Sequence, residues 1–171
     1  MEEYWDVYDR FRRKTGKIIK RDSDQWLQDG EYHIVVTGII ENSNNQILIS
    51  RRRDEKKLYP GLWECTGGSV QIEESSAQAI IREIFEEIGI ELNQREGQFI
   101  GTVQRDNYFR DVWRFKKNIK FSDFKFNDGE VVDVKWVTIK EYEELFKKGA
   151  IVPSGDCVIK LLKEKELEDE R

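Results

Sequence analysis

The chain changes between two hydrophobic periods along its length. "YHIVVTGII", Tyr32 to Ile40, is β-branched and apolar, which predicts a buried strand. The turn "ENSNNQ" and the run "ILISRR" predict a second strand and a hairpin. "DEKKLYPGLWECTGG" reads as a loop holding a short extended piece. "EESSAQAIIREIFEEIGI" is a helix: Ser75 and Ser76 are candidate N-terminal caps, Glu73 and Glu74 suit its positive end, and Gly89 suits its stop. "GQFIGTVQR" and "YFRDVWRF" predict strands, "KNIKFSDFKF" is a candidate third, and "VVDVKWV" is another. "TIKEYEELFKKG" predicts a helix capped by Thr138 and Glu141, with lysines in its last turn. A further helix is expected from about Ser154 into the charged tail "KEKELEDER", which should fray. Before these elements, "EYWDVYD", "RRKTGK" and "KIIKR" read as a short hairpin and "DSDQWLQDGE" as a linker. Strands, a central helix, more strands and then helices predict an α+β or mixed-sheet sandwich rather than regular βαβ winding. The division expected is a hairpin and linker over 1–30 and one domain over 31–171.

Composition narrows the function. The 171 residues fit one domain, and nine Phe, six Tyr and five Trp argue against disorder. A net charge of −5 gives no steering toward nucleic acid or an anionic membrane, so an anionic substrate needs a bridging cation or a local basic patch. No apolar run approaches a membrane span, and the charged start "MEEYWDVYDRF" lacks a signal-peptide core. Cys65 and Cys157 form neither a disulfide framework nor a zinc site. A cytoplasmic protein with free thiols is the expectation.

The central helix is built against its own electrostatics. Glu83, Glu86 and Glu87 crowd its C-terminal end, where the macrodipole is negative, and at spacings of three and four they repel one another. At about 100° per residue, one face collects Ser76, Ala79 and these glutamates, while Ala77, Ile81, Ile84, Phe85 and Ile88 form the face expected on the sheet. No Lys relieves the repulsion, and Arg82 precedes Glu86 in the weaker order. Two readings stand: a solvated charged face, or oxygen ligands for a hard divalent cation such as Mg²⁺ or Mn²⁺.

The preceding loop bears on the choice. Gly67 and Gly68 allow close backbone approach, and their carbonyls are further oxygen donors. From Gly68 the spacing runs to Glu74, Arg82–Glu83, apolar Ile84, Glu86–Glu87, Gly89 and apolar Ile90. This pattern, residues 68–90, resembles the Nudix box of the Nudix hydrolase superfamily at every fixed position. The resemblance implies an α/β/α sandwich around a mixed sheet. It implies hydrolysis of a diphosphate linkage in a nucleoside diphosphate derivative or related small molecule, with Mg²⁺ or Mn²⁺. Carried over, Glu83, Glu86 and Glu87 would be metal ligands, joined by the Gly67 or Gly68 carbonyl. Arg82 would orient a glutamate, and Glu74 would support the loop. Glu86 or Glu83 would be the base, with Glu130 in "FNDGEVVDV" as the remote alternative.

A second resemblance is to the Nudix branch that includes isopentenyl-diphosphate isomerase, through "WDVYDRFRRKTGK", "GEYHIVVTGII", "ILISRRRDEKKLYPGLWECTGGSV" and "GEVVDVKWV". In the isomerase a cysteine stands some five residues past the Trp, where this chain has Gly67 and Gly68, and Cys65 is offset. The isomerase also binds metal through several histidines, whereas this chain has only His33. The Glu130 position does match. The hydrolase is therefore favoured over the isomerase. A non-catalytic nucleotide or sugar-nucleotide sensor would be marked by lost box glutamates, and none is lost.

Among the remaining residues, His33 is expected as a satisfied core histidine and Cys65 as a packed residue rather than a nucleophile. Strand alternation puts Arg51 and Arg53 on one face and Arg52 on the other. Arg51 and Arg53 are candidates for substrate phosphate, and Trp63 for stacking on a base. The N-terminal hairpin is a candidate cover for the pocket or a homodimer interface.

Overall fold

Strand β3 (His33–Glu41) organises the molecule, because its apolar side chains are buried on both faces of the sheet. The computed structural model describes residues 2–21, 23, 26–127 and 129–170; of the expected linker, residues 22, 24 and 25 lie outside the described residues. Ile34, Val36 and Ile40 point to one side, where Ile80, Ile84 and Ile88 of helix α1 (Ser76–Ile88) cover them. Ile39 points to the other, toward helices α2 (Ile139–Lys147) and α3 (Gly155–Asp169). The result is an α/β/α sandwich around a mixed sheet.

The remaining strands are β1 (Tyr4–Tyr8), β2 (Lys14–Lys20), β4 (Gln46–Arg52), β5 (Trp63–Glu64), β6 (Gly67–Ser69), β7 (Gly97–Gln104), β8 (Tyr108–Lys116) and β9 (Val131–Thr138). β3 runs parallel to β8 and antiparallel to β6. β7 pairs with the outer edge of β8. β4 pairs with β5 and β9. The expected β3–β4 hairpin holds only at its turn, where Glu41 faces Ile47. Beyond the turn the strands separate, and β6 takes the place beside β3. That opening lets the loop between β5 and α1 enter the sheet.

Local signals explain the helix ends. Ser75 accepts from the Gln78 N–H, and Gln78 returns the bond, closing a capping box. Gly89 ends α1 at φ 73°, and a Cβ there would lie 2.7 Å from Lys125 Cβ, so both conformation and packing require glycine. Thr138 and Glu141 cap α2.

Several expectations are corrected. "KNIKFSDFKF" is a loop with a single 3₁₀ turn at Phe121–Asp123, anchored by the Lys125 N–H on Ile88 O at 2.9 Å. The C-terminal tail stays helical to Asp169, helped by Lys165 bonding Glu168 at 3.1 Å and Asp169 at 3.3 Å. In α1, Ile80 rather than Phe85 packs on the sheet; Phe85 is 47% exposed, while Ala79 and Glu87 are buried. The loop through β6 covers part of the acidic face. His33 is not a satisfied histidine. Its Nδ1 is buried without a hydrogen-bond partner, and the ring stacks on Trp5 at 4.7 Å. Burial, with the Arg110 charge, lowers its pKa to about 4.

The N-terminal hairpin β1–β2 is fastened to this body. Arg12 forks onto buried Asp111 at 2.7 and 2.5 Å, Tyr8 and Tyr32 exchange backbone bonds, and the Ile72 N–H donates to Tyr4 O at 2.9 Å. Among the described residues no helix is long and apolar enough to cross a membrane.

Candidate catalytic site

The C-terminal half of α1 meets β6 through one arginine. Arg82 forks onto Glu74, Nε to Oε1 at 2.8 Å and Nη2 to Oε2 at 3.0 Å. Nη2 also donates to Ser69 O at 3.0 Å, and Nη1 to Glu83 at 2.8 Å and Glu86 at 3.1 Å. Glu74 in turn accepts the Gln71 N–H at 3.0 Å. One guanidinium thus ties the loop, the sheet and two of the three helix glutamates together. Burial works against its charge, yet Glu74 and Glu83 hold Arg82 more firmly protonated than usual. It also supplies the compensation that the like charges on α1 need, so their tolerance does not rest on solvent alone.

Glu83, Glu86, Glu87 and Glu130 line one cavity of about 360 Å³ with Gly67, Gly68 and Ser69 of β6. Glu87 is 6% exposed, and Glu86 is exposed at the rim. Burial pushes the Glu83 carboxyl up to about 7, against the pull of Arg82. Glu130 is ion-paired with Lys56. Glu3 and Arg21, paired at 2.8 Å, bring the N-terminal hairpin to the same cavity. A Cβ on Gly68 would fall into the Glu83 carboxyl, 2.6 Å from Oε2, and a Cβ on Gly67 would fall into the Val36 carbonyl. Both glycines are therefore required by close approach.

These donors are carboxylate and carbonyl oxygens, the set preferred by Mg²⁺ and Mn²⁺. Among the described residues no three acidic, histidine or cysteine side chains are drawn together at metal-ligand spacing. The hard-oxygen lining and the Gly68–Glu83 cradle suit such a cation, with Glu83, Glu86 and Glu87 lining the cavity from one helix.

Arg51, Arg53 and Trp63 are not brought to this cavity. A bulge between Arg51 and Arg52, where β4 passes β9, re-aims the side chains. Arg51 bonds Gly61 O at 3.1 Å and Asp54 at 3.2 Å, Arg53 lies along Gly129, and Trp63 is covered by Lys135 at 4.2 Å. Arg52, on the opposite face, lines the cavity and pairs with Glu64 at 2.6 Å. Alternation along β4 held that signal. Lys56, Glu3 and Arg21 carried none. Cys65 is buried as expected, and burial pushes its thiol up to about 12.

Comparison with known proteins gives a consistent family. The NUDIX domain model matches residues 31–155. A Nudix hydrolase of Listeria monocytogenes is 34% identical over 154 residues, 90% of this chain and 89% of that protein. An isopentenyl-diphosphate Delta-isomerase of Escherichia coli is 30% identical over 110 residues, 61% of this chain and 60% of that one. The DR0079 structure from Deinococcus radiodurans shares the fold at TM-score 0.76 and 21% identity, over 95% of this chain and 98% of that chain.

Proposed function

The chain belongs to the Nudix family, and on that premise we propose that it hydrolyses a diphosphate linkage in a nucleoside diphosphate derivative or related small molecule, assisted by Mg²⁺ or Mn²⁺. The observation that carries this reading is that Glu83, Glu86, Glu87 and Glu130 line one cavity with Gly67, Gly68, Arg52 and Lys56. A divalent cation bound there would neutralise diphosphate oxygens and acidify the attacking water. Glu83, Glu86 and Glu87 are its proposed ligands. Arg82 holds Glu83 and Glu86 at a fixed height above β6, which makes it a positioning residue.

Water attacks one phosphorus, its oxygen forms the new P–O bond, and the bridging P–O bond breaks. The water proton passes to a carboxylate. Glu86 is our candidate for that base, because its side chain is 49% exposed and its bond from Arg82 is the longer one, at 3.1 Å. Glu83 is held more tightly and Glu130 is tied to Lys56. Arg52 and Lys56 line the cavity in pairs with Glu64 and Glu130, and in this proposal they turn to phosphate oxygens as charge develops on them.

The likeness to isopentenyl-diphosphate isomerase favours a second reading, proton transfer at carbon. The site argues against it. The Cys65 thiol is buried and held protonated, and His33 lines neither this cavity nor the one beside it.

Phosphate release with Mg²⁺ over nucleoside diphosphates, sugar nucleotides and dinucleotides tests the proposal. Metal-dependent turnover of at least one substrate is expected. Glu86→Gln and Glu87→Gln should each lower it by about 10²-fold or more and weaken Mg²⁺ binding, with the fold intact. No turnover on any of them, with allylic isomer formed from isopentenyl diphosphate, would overturn it.

A further inference from the structure

Across β6 lies a second cavity, of about 220 Å³, which shares Arg52, Gly67, Gly68 and Ser69 with the catalytic one. Its other walls come from β3, β8, α2 and the start of α3. Three features there point to the same ligand chemistry.

Tyr142 is 1% exposed, and its hydroxyl lies against the Cys65 thiol with no oxygen or nitrogen partner. A buried hydroxyl with only a thiol beside it is weakly satisfied, and an oxyanion would complete it. That hydroxyl sits at the first residue of α3, since a Cβ on Gly155 would lie 2.8 Å from it.

Arg110 makes no ion pair among the described residues. One guanidinium nitrogen donates to Thr37 Oγ1 at 2.7 Å, and the cation lies over the Tyr108 ring at 5.2 Å. Its Nε is buried without a hydrogen-bond partner.

The third feature is α3 itself, 15 residues long. Its Ser154 makes no side-chain cap, and Ser154 and Gly155 line the cavity. The first N–H groups of α3 bond back to Val152 O at 2.9 Å, Pro153 O at 3.4 Å and Ser154 O at 3.2 Å, so the helix contributes the positive end of its dipole to this cavity rather than free donors. The nearby acids are already engaged: Asp156 with Arg105 at 2.7 Å, and Glu64 with Arg52 at 2.6 Å.

We propose that this cavity binds an oxyanion, a phosphate or carboxylate, on the moiety that the substrate's diphosphate carries, with Arg110 and Tyr142 as its specificity-determining residues. Preferred substrates would then bear negative charge beyond the diphosphate. Assigning the anion to the substrate rests on the hydrolase reading; the anion pocket does not.

Two measurements on the full chain test this. The first is calorimetric titration with inorganic phosphate, without divalent metal. Arg110→Met should weaken binding by about tenfold or more and Tyr142→Phe by about threefold to tenfold. Arg95→Gln, the same charge change on an exposed turn, should bind as wild type, and Arg110→Lys should recover part of the loss. Absence of phosphate binding, wild-type binding by both Arg110→Met and Tyr142→Phe, or an equal loss in Arg95→Gln overturns the pocket.

The second compares kcat/KM with Mg²⁺ on paired substrates: UDP-glucuronate against UDP-glucose, and NADPH against NADH. A preference of about tenfold for the charged member of one pair is expected, lost in Arg110→Met; the pair that responds identifies carboxylate or phosphate. Equal turnover within both pairs overturns the substrate assignment while the hydrolase stands. No turnover anywhere, with Arg110-dependent phosphate binding intact, would sink the hydrolase reading and leave the pocket.

Discussion

Gly67 and Gly68 are adjacent on one short strand, yet adding a methyl group to each should fail differently. At Gly68 the new Cβ would stand 2.6 Å from Glu83 Oε2, and closer still to the rest of that carboxyl, whereas ordinary contact begins at 3.4 Å. The obstacle is the end of a flexible side chain, so it can yield. Glu83 must withdraw by ~1 Å or more, and a displacement of that size costs about 10²-fold in rate when it moves a catalytic group. That is ~2.7 kcal/mol of barrier. Stability should change little, by less than ~1 kcal/mol. At Gly67 the obstacle is the Val36 carbonyl, part of the β3–β6 ladder, and backbone cannot swing aside. Overpacking there should cost ~1–3 kcal/mol. For a chain of this size that lowers Tm by roughly 2–12 °C. The assay is kcat for phosphate release with Mg²⁺ on the best substrate of the panel, beside thermal melts of both variants. Gly68→Ala should lose rate with Tm nearly held, and Gly67→Ala should lose Tm. Rate within threefold of wild type in Gly68→Ala, or an unmoved Tm in Gly67→Ala, would refute the reasoning.

Three other outcomes are expected. Arg82→Lys cannot fork onto Glu74 while reaching Glu83 and Glu86, so kcat/KM should fall by about tenfold or more; wild-type kinetics would show that the network positions nothing. Cys65→Ala should retain full turnover, and a thiol reagent should label Cys65 only on unfolding; rapid labelling of the native protein would contradict its burial. His33 has a folded pKa of about 4 against an ordinary 6.5, so the unfolded chain takes the proton first. Its contribution is therefore intact above pH 6.5 and is lost as pH falls toward 4, amounting to ~3 kcal/mol. Urea titrations of wild type and His33→Phe at pH 7, 5.5 and 4 should diverge by that amount, and parallel curves would exclude it.

What could be read in advance followed the range of the interaction. Ser75, Thr138 and Gly89 act within a few residues of themselves, so the helix ends were legible. The spacing from Gly68 to Ile90 is equally local. Strand partnership is not. Nothing near Tyr32–Ile40 reveals that β3 lies parallel to β8, some 75 residues on, or that β4 leaves it after one pair. The helical wheel of α1 showed where apolar residues sit but not that β6 covers part of the opposite face, so it placed Phe85 on the sheet and left out Ile80. Alternation separated Arg52 from Arg51 and Arg53; the bulge against β9 decided which face met the cavity. Nothing in "TIKEYEELFKKG" singled out Tyr142, and the surroundings of its hydroxyl are visible only in three dimensions.

The two cavities divide charge in a way that orients a substrate. Glu3, Glu83, Glu86, Glu87 and Glu130 line the first against Arg21, Arg52 and Lys56, five acids to three bases. Such a surface repels a diphosphate unless a divalent cation offsets the excess. The second cavity has Arg52 and Arg110 against Glu64 and gains the positive end of α3. It attracts an anion unaided. On the proposed reading, a substrate with charge at both ends has one favourable orientation, its diphosphate over α1 with the cation and its far oxyanion under α3. The wall between the cavities is β6, and glycine at 67 and 68 keeps it one backbone thick. On the proposed reading both ends of one small molecule are held at once, with Arg52 shared between the cavities and Arg110 reserved for the far end.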